Sequence, residues 1–193
     1  MPVTSPASCS STFGCTIPAR WAALFFLLLF AGGSVAAQNG GPRPAIAVLN
    51  LRFDGEHANV LDPGDTAVAA AATSALLATL QASDRVAVLD SARVARAVAA
   101  AEADGNPCDN ACALAVARQL GVQWVAKGTV MKTSNLIWVL YAQLLEVTTG
   151  KRVLSDSYEL KGDPTRMAPA GAKVWAQAIE QAVGVARTTS EAP

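Results

Sequence analysis

The sequence has no excess of charge of either sign and very little histidine. Its 15 lysines and arginines are balanced by 15 aspartates and glutamates, and charged residues make up only 16% of the 193 residues. A protein that binds nucleic acid through phosphate contacts usually has a clustered excess of Lys and Arg, so the sequence does not indicate nucleic-acid binding. Because His57 is the single histidine, a Ser-His-Asp triad would have to use this residue.

Long hydrophobic runs are also missing, although 52% of the residues are hydrophobic. The most apolar run, residues 21–31, is shorter than the roughly 20 residues that a transmembrane helix needs. Its length is typical of the core of a secretory signal peptide, and the small residues at positions 35–37 form a cleavage pattern. The sequence therefore predicts a signal peptide over residues 1–37, cleavage near Ala37 and a periplasmic location.

Two alternatives to this cleavage stay open. The peptidase could cut after Ala36, because Ser34 and Ala36 provide a second pattern of small residues. The segment could also stay attached as an anchor, because the region before Arg20 is long and poor in positive charge. A lipoprotein is not expected, since no cysteine follows the hydrophobic run at the cleavage point, and we expect no membrane span after cleavage.

Cysteine is scarce, and two of the four cysteines lie within the predicted signal peptide. The other two, Cys108 and Cys112, would reach an oxidising compartment, where neighbouring thiols normally form a disulfide. Cys108 precedes the predicted cap of a helix, Asp109 or Asn110, so it can fold back toward the first turn. We therefore predict a structural disulfide. Redox-active, free or metal-bound thiols are the alternatives, and the Cys-x-x-x-Cys spacing differs from the Cys-x-x-Cys of thioredoxin-type centres.

Hydrophobic periodicity divides the rest of the chain into alternating strands and helices. We predict a flexible leader over residues 38–44, one α/β domain over residues 45–187 and a disordered tail over residues 188–193. The predicted strands are residues 45–53, 85–89, 122–131, 136–147 and 152–161, and the predicted helices are residues 63–83, 91–103, 110–120 and 168–187. The order β-α-β-α-α-β-β-β-α predicts a single mixed five-stranded sheet covered by helices, with parallel neighbours joined by helical crossovers and an antiparallel meander.

Local patterns predict how single elements begin and what they bury. Asp62, followed by Pro63, is typical of a helix start, and Asp65 lies three residues further on. Trp138 and Tyr141 fall on opposite faces of one predicted strand, so whichever is exposed is a candidate contact residue. The last helix is predicted to bury a stripe with Trp175 beside it, made of Val174, Ala178, Ala182 and Val185.

Two glycines mark special backbone positions. Lys127, Gly128 and Thr129 do not match the pattern of a phosphate-binding loop, and within a strand Gly128 is predicted to mark a bulge or a close approach. Residues 148–150 are predicted to form a hairpin loop in which Gly150 has a positive φ.

The loop after the first predicted strand is the candidate binding site. Asp54, Glu56 and His57 leave the C-terminal end of a central strand, which is the edge where open α/β sheets bind ligands. A lone histidine with loop carboxylates matches no metal-ligand spacing, so we predict neither a metal nor another cofactor. No catalytic residues are assigned and an enzyme is not expected; an enzyme would depend on His57 as its base.

Four segments together resemble a known family of envelope proteins. They are residues 46–49 (IAVL), 86–90 (VAVLD), 117–130 (ARQLGVQWVAKGTV) and 145–151 (LEVTTGK). The chain resembles secreted proteins of unknown function related to the amino-terminal domain of TolB and to the periplasmic domain of the curli secretion factor CsgG, over roughly residues 45–162. The resemblance implies a bacterial periplasmic α/β domain that mediates assembly or protein contact, with no catalytic residues to transfer.

The sequence differs from those relatives in features that bear on the expected function. The chain lacks a lipidation cysteine and an evident pair of membrane-crossing hairpins, so a pore is not expected, and no propeller repeats follow residue 162. We therefore expect a non-catalytic periplasmic interaction or accessory protein with a protein partner in the cell envelope; the oligomeric state is left open. The alternative is a small-ligand or cation binding module that uses the loop after the first strand.

Overall fold

The computed structural model describes residues 42–190, so the predicted signal peptide, its cleavage site and the last three residues lie outside the described part. The fold is one open mixed sheet of six strands with four helices. The strands are β1 (Ala45–Val48), β2 (Arg52–Asp54), β3 (Ala87–Val88), β4 (Trp124–Lys132), β5 (Trp138–Glu146) and β6 (Arg152–Leu160). The helices are α1 (Asp65–Gln81), α2 (Ser91–Ala101), α3 (Asn110–Leu120) and α4 (Pro164–Ser190).

The strand order is β3-β1-β4-β5-β6, and β2 also pairs with β4. β1 lies parallel to both of its neighbours, whereas β4, β5 and β6 form an antiparallel meander. α1 connects β2 to β3, and α2 with α3 leads from β3 back past β1 to β4. The predicted class, a mixed α/β sheet with helical crossovers and a meander, is confirmed.

The first predicted strand is divided in two, which raises the number of strands from the predicted five to six. β1 ends at Val48, and the backbone N–H of Leu51 donates to Oγ1 of Thr73 in α1 at 2.9 Å. The Thr73 hydroxyl in turn donates to the carbonyl oxygen of Ala69 at 2.9 Å. The apolar run of residues 45–53 predicted one strand, because hydrophobicity does not show that the N–H of Leu51 donates to a threonine of a later helix.

Helices cover the two faces of the sheet unequally. α1 and α4 pack over one face and bury the main core, which includes Ile46, Leu76, Leu140, Leu144 and Trp175. α2 and α3 cover the parallel end of the other face with a second core, which includes Ala47, Val94, Ala117, Val125 and Leu145. No helix within residues 42–190 is long and apolar enough to cross a membrane.

α4 buries a different stripe from the predicted one. Its buried residues are Ala168, Ala172, Trp175, Ala176, Ile179 and Val183. Val174 and Val185, which were predicted to be buried, are 51% and 66% exposed, whereas Trp175 is fully buried. The prediction was wrong because the many alanines fit several faces, and the largest side chain decides which face packs against the sheet. The helix also begins four residues earlier than predicted and continues through residues 188–190, which were assigned to the tail.

α1 does not begin with the predicted Asp62 cap. Its N-cap is Gly64, with φ of 101° and no capping side chain. Asp62 and Asp65 instead accept hydrogen bonds from Nζ of Lys132, at 2.9 and 2.7 Å. Lys132 is only 1% exposed, and its ammonium lies 5.3 Å from the centroid of the Trp138 ring. The capping prediction was wrong because both carboxylates bind a buried lysine at the end of a distant strand.

Two local predictions, Asp109 as the cap of α3 and the positive φ of Gly150, are confirmed, and a further cap lies at Asp90. Asp90 caps α2, since its Oδ1 accepts the N–H of Arg93 at 2.8 Å. Asp109 caps α3 in the same way, through the N–H of Cys112 at 2.8 Å. Gly150 has a φ of 70° in the loop between β5 and β6, a region that glycine enters without steric cost.

Candidate functional site

The loop residues selected from the sequence do not converge in the structure. Asp54 ends β2, and its Oδ1 accepts the backbone N–H of Glu56 at 3.0 Å, which is a local turn bond. Glu56 and His57 are both exposed. Among residues 42–190, no group of three or more His, Cys, Asp and Glu side chains is arranged to hold a metal ion. The predicted loop therefore contains a turn, and a larger concave site lies at a neighbouring part of the sheet edge.

That site is a cleft of about 640 Å³ at the break between β1 and β2, which we term the switch-point cleft. Its walls include Leu51, Arg52, Val98, Glu102, Cys108 and Lys127. The cleft lies between β1 and β4 in the strand order. After β1 the chain forms β3 on one side of it, and it then crosses back to form β4 on the other side. In open α/β sheets, ligands bind at this reversal point, outside the carboxyl ends of the parallel strands.

Two cationic side chains and one carboxylate line the switch-point cleft. Nη1 of Arg52 donates to Oε1 of Glu102 at 2.8 Å, and the backbone N–H of Cys108 donates to the same oxygen at 2.7 Å. Nζ of Lys127 donates to the carbonyl oxygen of Cys108 at 3.0 Å. No carboxylate of the described residues lies within 4.0 Å of this ammonium. Glu102 therefore has its partners, whereas Lys127 has no paired carboxylate.

The electrostatic environment of Lys127 disfavours its charge. Burial lowers the pKa of the Lys127 ammonium, and the nearby charge of Arg52 lowers it further. Asp109 and Glu102 act in the opposite direction without cancelling the effect of burial. An added negative charge in the cleft would stabilise the ammonium form.

A disulfide joins Cys108 to Cys112, with their Cα atoms 5.1 Å apart. Cys108 is 7% exposed and belongs to the second core, under α2 and α3. Its backbone contacts both Glu102 and Lys127, so the bond attaches one wall of the switch-point cleft to the first turn of α3.

Loss of this disulfide is expected to cost about 2 kcal/mol of stability, because the cross-link closes a very short loop in the unfolded chain. Urea unfolding of the oxidised protein and of the Cys108→Ala/Cys112→Ala double variant measures the difference, and reduced wild-type protein serves as the control. Mass spectrometry of the unreduced exported protein should show residues 108 and 112 linked. Alkylation of both thiols without a reductant would contradict the prediction.

The side of β4, β5 and β6 that lies beyond α2 and α3 is covered by no helix of residues 42–190, and we term this second surface the helix-free face. Three residues from each strand form it: Lys127, Thr129 and Met131; Val139, Tyr141 and Gln143; Ser155, Ser157 and Glu159. Tyr141 lies at its centre, between Thr129 and Ser157, and is 41% exposed. Trp138, on the opposite face, is 2% exposed and belongs to the main core. Tyr141 is therefore the exposed contact candidate of the pair.

Sequence reasoning did not assign the residues of the switch-point cleft. Lys127 lies in a segment that does not match a phosphate-binding loop, and no sequence pattern pointed to Arg52. The predicted close approach at Gly128 is confirmed, because a Cβ there would meet the carbonyl oxygen of Tyr141 and lie 2.8 Å from Cδ2 of Leu51. The one sequence feature that could have indicated the cleft was Lys127, a lysine within a predicted strand that directly follows apolar residues.

Comparisons with known proteins identify a family and several similar folds. A family model described as "Protein of unknown function (DUF2380)" matches residues 44–176. No curated protein matches the chain significantly.

Solved structures are similar at low identity. TolB from Acinetobacter baumannii is 16% identical with a TM-score of 0.46, over 74% of this chain and 29% of that chain. The LpoB C-terminal domain from Salmonella enterica is 18% identical with a TM-score of 0.44, over 66% of this chain and 89% of that chain. The hypothetical protein CT253 from Chlamydia trachomatis is 11% identical with a TM-score of 0.49, over 74% of this chain and 98% of that chain. The expected similarity to TolB is thus found, and the similarity to CsgG stays a prediction.

Proposed function

The chain belongs to the family described as protein of unknown function (DUF2380), and we propose that it is a non-catalytic accessory protein of the bacterial envelope. It binds a protein partner through the helix-free face. The observation that supports this most directly is Tyr141, which is 41% exposed at the centre of a sheet surface. Aromatic side chains at the centre of a contact surface commonly supply a large share of the binding energy.

The surroundings of Tyr141 suit a protein contact. Met131 and Val139 are cross-strand neighbours beside it, and both are half-buried. Glu159 and the two serines of β6 form an exposed polar margin on one side. An apolar and aromatic centre with a polar rim is the usual arrangement of protein interfaces, in which Tyr and Met are enriched. Strands hold these side chains in a fixed register, so the surface is formed before a partner binds.

The envelope location is supported by the signal peptide predicted over residues 1–37 and by the Cys108–Cys112 disulfide. Structural disulfides form and persist in oxidising compartments such as the periplasm.

Site-specific photo-crosslinking tests the contact. A benzophenone amino acid placed at position 141 is expected to give one discrete adduct with an envelope protein in living cells, because the side chain points away from the core. The same group at Val174, which is 51% exposed on the outer side of α4, is the matched control and should give no such adduct. Excess purified wild-type protein should compete for the partner in an envelope extract, whereas the Tyr141→Ser variant should compete at least about tenfold less well.

Equal adducts at both positions, or none at either, would contradict the proposed contact surface. An adduct with the mass of two copies of this chain would show that this face mediates self-association and would contradict a contact with another envelope protein. Unchanged competition by Tyr141→Ser would remove Tyr141 as the anchor of the contact.

A further inference from the structure

We propose that the switch-point cleft binds a small amphipathic carboxylate, whose carboxylate lies at Lys127 and Arg52 and whose apolar body lies along α2. This ligand site shares Lys127 and Thr129 with the edge of the helix-free face, but it does not include Tyr141, which is the proposed anchor of the protein contact. The fold places the cleft at the reversal point of the parallel strands, and its volume of about 640 Å³ lies within the range usual for small-molecule sites.

The cationic end of the cleft has unused hydrogen-bond donors. An ammonium has three N–H donors, and Lys127 uses one of them on the carbonyl oxygen of Cys108. A guanidinium has five, and Arg52 uses one of them on Glu102. Both side chains line the same cleft, so one anion has donors available from two cations. Hydrogen bonds between ionised partners are shorter and about twice as strong as neutral ones.

Lys127 is the charged side chain of this end that has no ion pair among the described residues. Glu102 is the only carboxylate among the described lining residues of the cleft, and it already accepts from Arg52 and from the backbone of Cys108. Asp109 also acts on the charge of Lys127, but it does not line the cleft and its Oδ1 accepts the N–H of Cys112. Lys127 is a half-buried ammonium with no carboxylate within ion-pairing distance in the part of the chain described. A bound carboxylate would pair this charge.

The wall formed by α2 explains why the ligand also needs an apolar body. Ala95, Val98 and Ala99 face the cleft, and Leu51 adds a further apolar contact at the strand break. None of these four side chains can hydrogen-bond to a ligand, so a small inorganic anion would leave this wall in water. An aliphatic or aromatic body of a few carbons would remove apolar surface of both ligand and wall from water.

Calorimetric titration of the purified exported protein with octanoate tests the proposal. Octanoate should bind in the micromolar to millimolar range, while 1-octanol, which lacks the charge, and acetate, which lacks the chain, should each bind at least about tenfold more weakly. Lys127→Met should weaken octanoate binding at least about tenfold, and Lys127→Arg should restore most of it because the charge and donors are kept. Lys173→Met removes an exposed lysine of α4 and should leave the affinity unchanged.

Circular dichroism melting of each variant shows whether it folds, and Arg52→Met replaces Lys127→Met if the latter does not. The proposal is overturned if neither octanoate nor benzoate binds the folded wild-type protein at millimolar concentration. Equal affinities for octanoate and 1-octanol would also overturn it, as would binding that Lys127→Met and Arg52→Met both leave unchanged. None of these outcomes involves position 141, so they are separate from the test of the protein contact.

Discussion

The Trp175→Ala variant is expected to lose about 4 kcal/mol of unfolding free energy, because it leaves a large cavity in the main core. Trp175 is fully buried between α4 and the sheet, in the same cluster as Leu140 and Ile179. A loss of this size is a large fraction of the 5–15 kcal/mol typical of a folded domain. Urea unfolding followed by circular dichroism measures it.

Val174→Ala is the matched control, since it changes the adjacent residue on the exposed side of the same helix. Its effect should stay within about 0.5 kcal/mol. Trp175→Phe keeps a large apolar ring and removes the indole N–H, which has no hydrogen-bond partner among residues 42–190, so it should be tolerated much better than alanine. A larger loss for Val174→Ala than for Trp175→Ala would show that α4 packs with the opposite face inward.

The Lys132→Met variant is expected to melt roughly 10 °C below the wild type, because it leaves the carboxylate of Asp65 without its buried cation. Lys132 joins the end of β4 to the start of α1 through two carboxylates, at 2.9 Å for Asp62 and 2.7 Å for Asp65. Methionine has a similar length and lacks the charge, so the comparison measures the ionic contact more than the packing. Thermal melting at neutral pH provides the measurement.

The difference in melting temperature should also depend on pH. Burial by itself raises the pKa of Asp65, but the hydrogen bonds from Lys132 and from the N–H of Asp62, together with the Lys132 charge, bring it below 3.8. Burial by itself lowers the pKa of Lys132, but its hydrogen bonds to Asp65 and Asp62 raise it above 10.5. The lowered carboxyl pKa contributes stability that is lost as the pH falls through it, and the raised ammonium pKa contributes stability that is lost as the pH rises through it.

The melting temperature of the wild type should therefore exceed that of Lys132→Met most clearly near neutral pH, and the difference should shrink as the pH falls toward about 3, where Asp65 becomes protonated in both proteins. Lys161→Met is the control, because Lys161 pairs with Glu159 at 3.4 Å on the surface, where both side chains are mostly exposed. Exposed pairs contribute little, so its melting temperature should stay close to that of the wild type at every pH. A difference between wild type and Lys132→Met that is the same at pH 3 as at pH 7 would contradict the assigned ionic contact.

Elements whose signals are local could be predicted from the sequence. The cap of α3 is Asp109, one of the two residues that the sequence offered, and Gly150 has the predicted positive φ; both features depend on residues within a few positions. The alternation along β5 likewise placed Trp138 and Tyr141 on opposite faces. Alternation alone could not show which of these two side chains is exposed to solvent, because that depends on which side of the sheet the helices cover.

The residues of the switch-point cleft could not be selected in the same way. Arg52 and Lys127 lie far apart in the sequence, on two strands that are brought together by the pairing of β2 with β4. The cleft also needs the strand break at Leu51, which depends on Thr73 of α1. The sequence placed the candidate loop after residue 53, at the end of one predicted strand, whereas the cleft lies at the break between β1 and β2.

The sequence alone determined the α/β class, the order of the elements apart from the division of the first strand, and the cap region of α3, because periodicity and capping arise from residues close together in the chain. Only the tertiary structure decided that Trp175 rather than Val174 is buried, that Asp62 and Asp65 bind Lys132, and that Lys127 has no paired carboxylate within residues 42–190. These outcomes depend on which side chains from distant parts of the chain meet in the low-dielectric interior. The local sequence allows several arrangements equally, and the size of one ring or the position of one charge decides which of them packs.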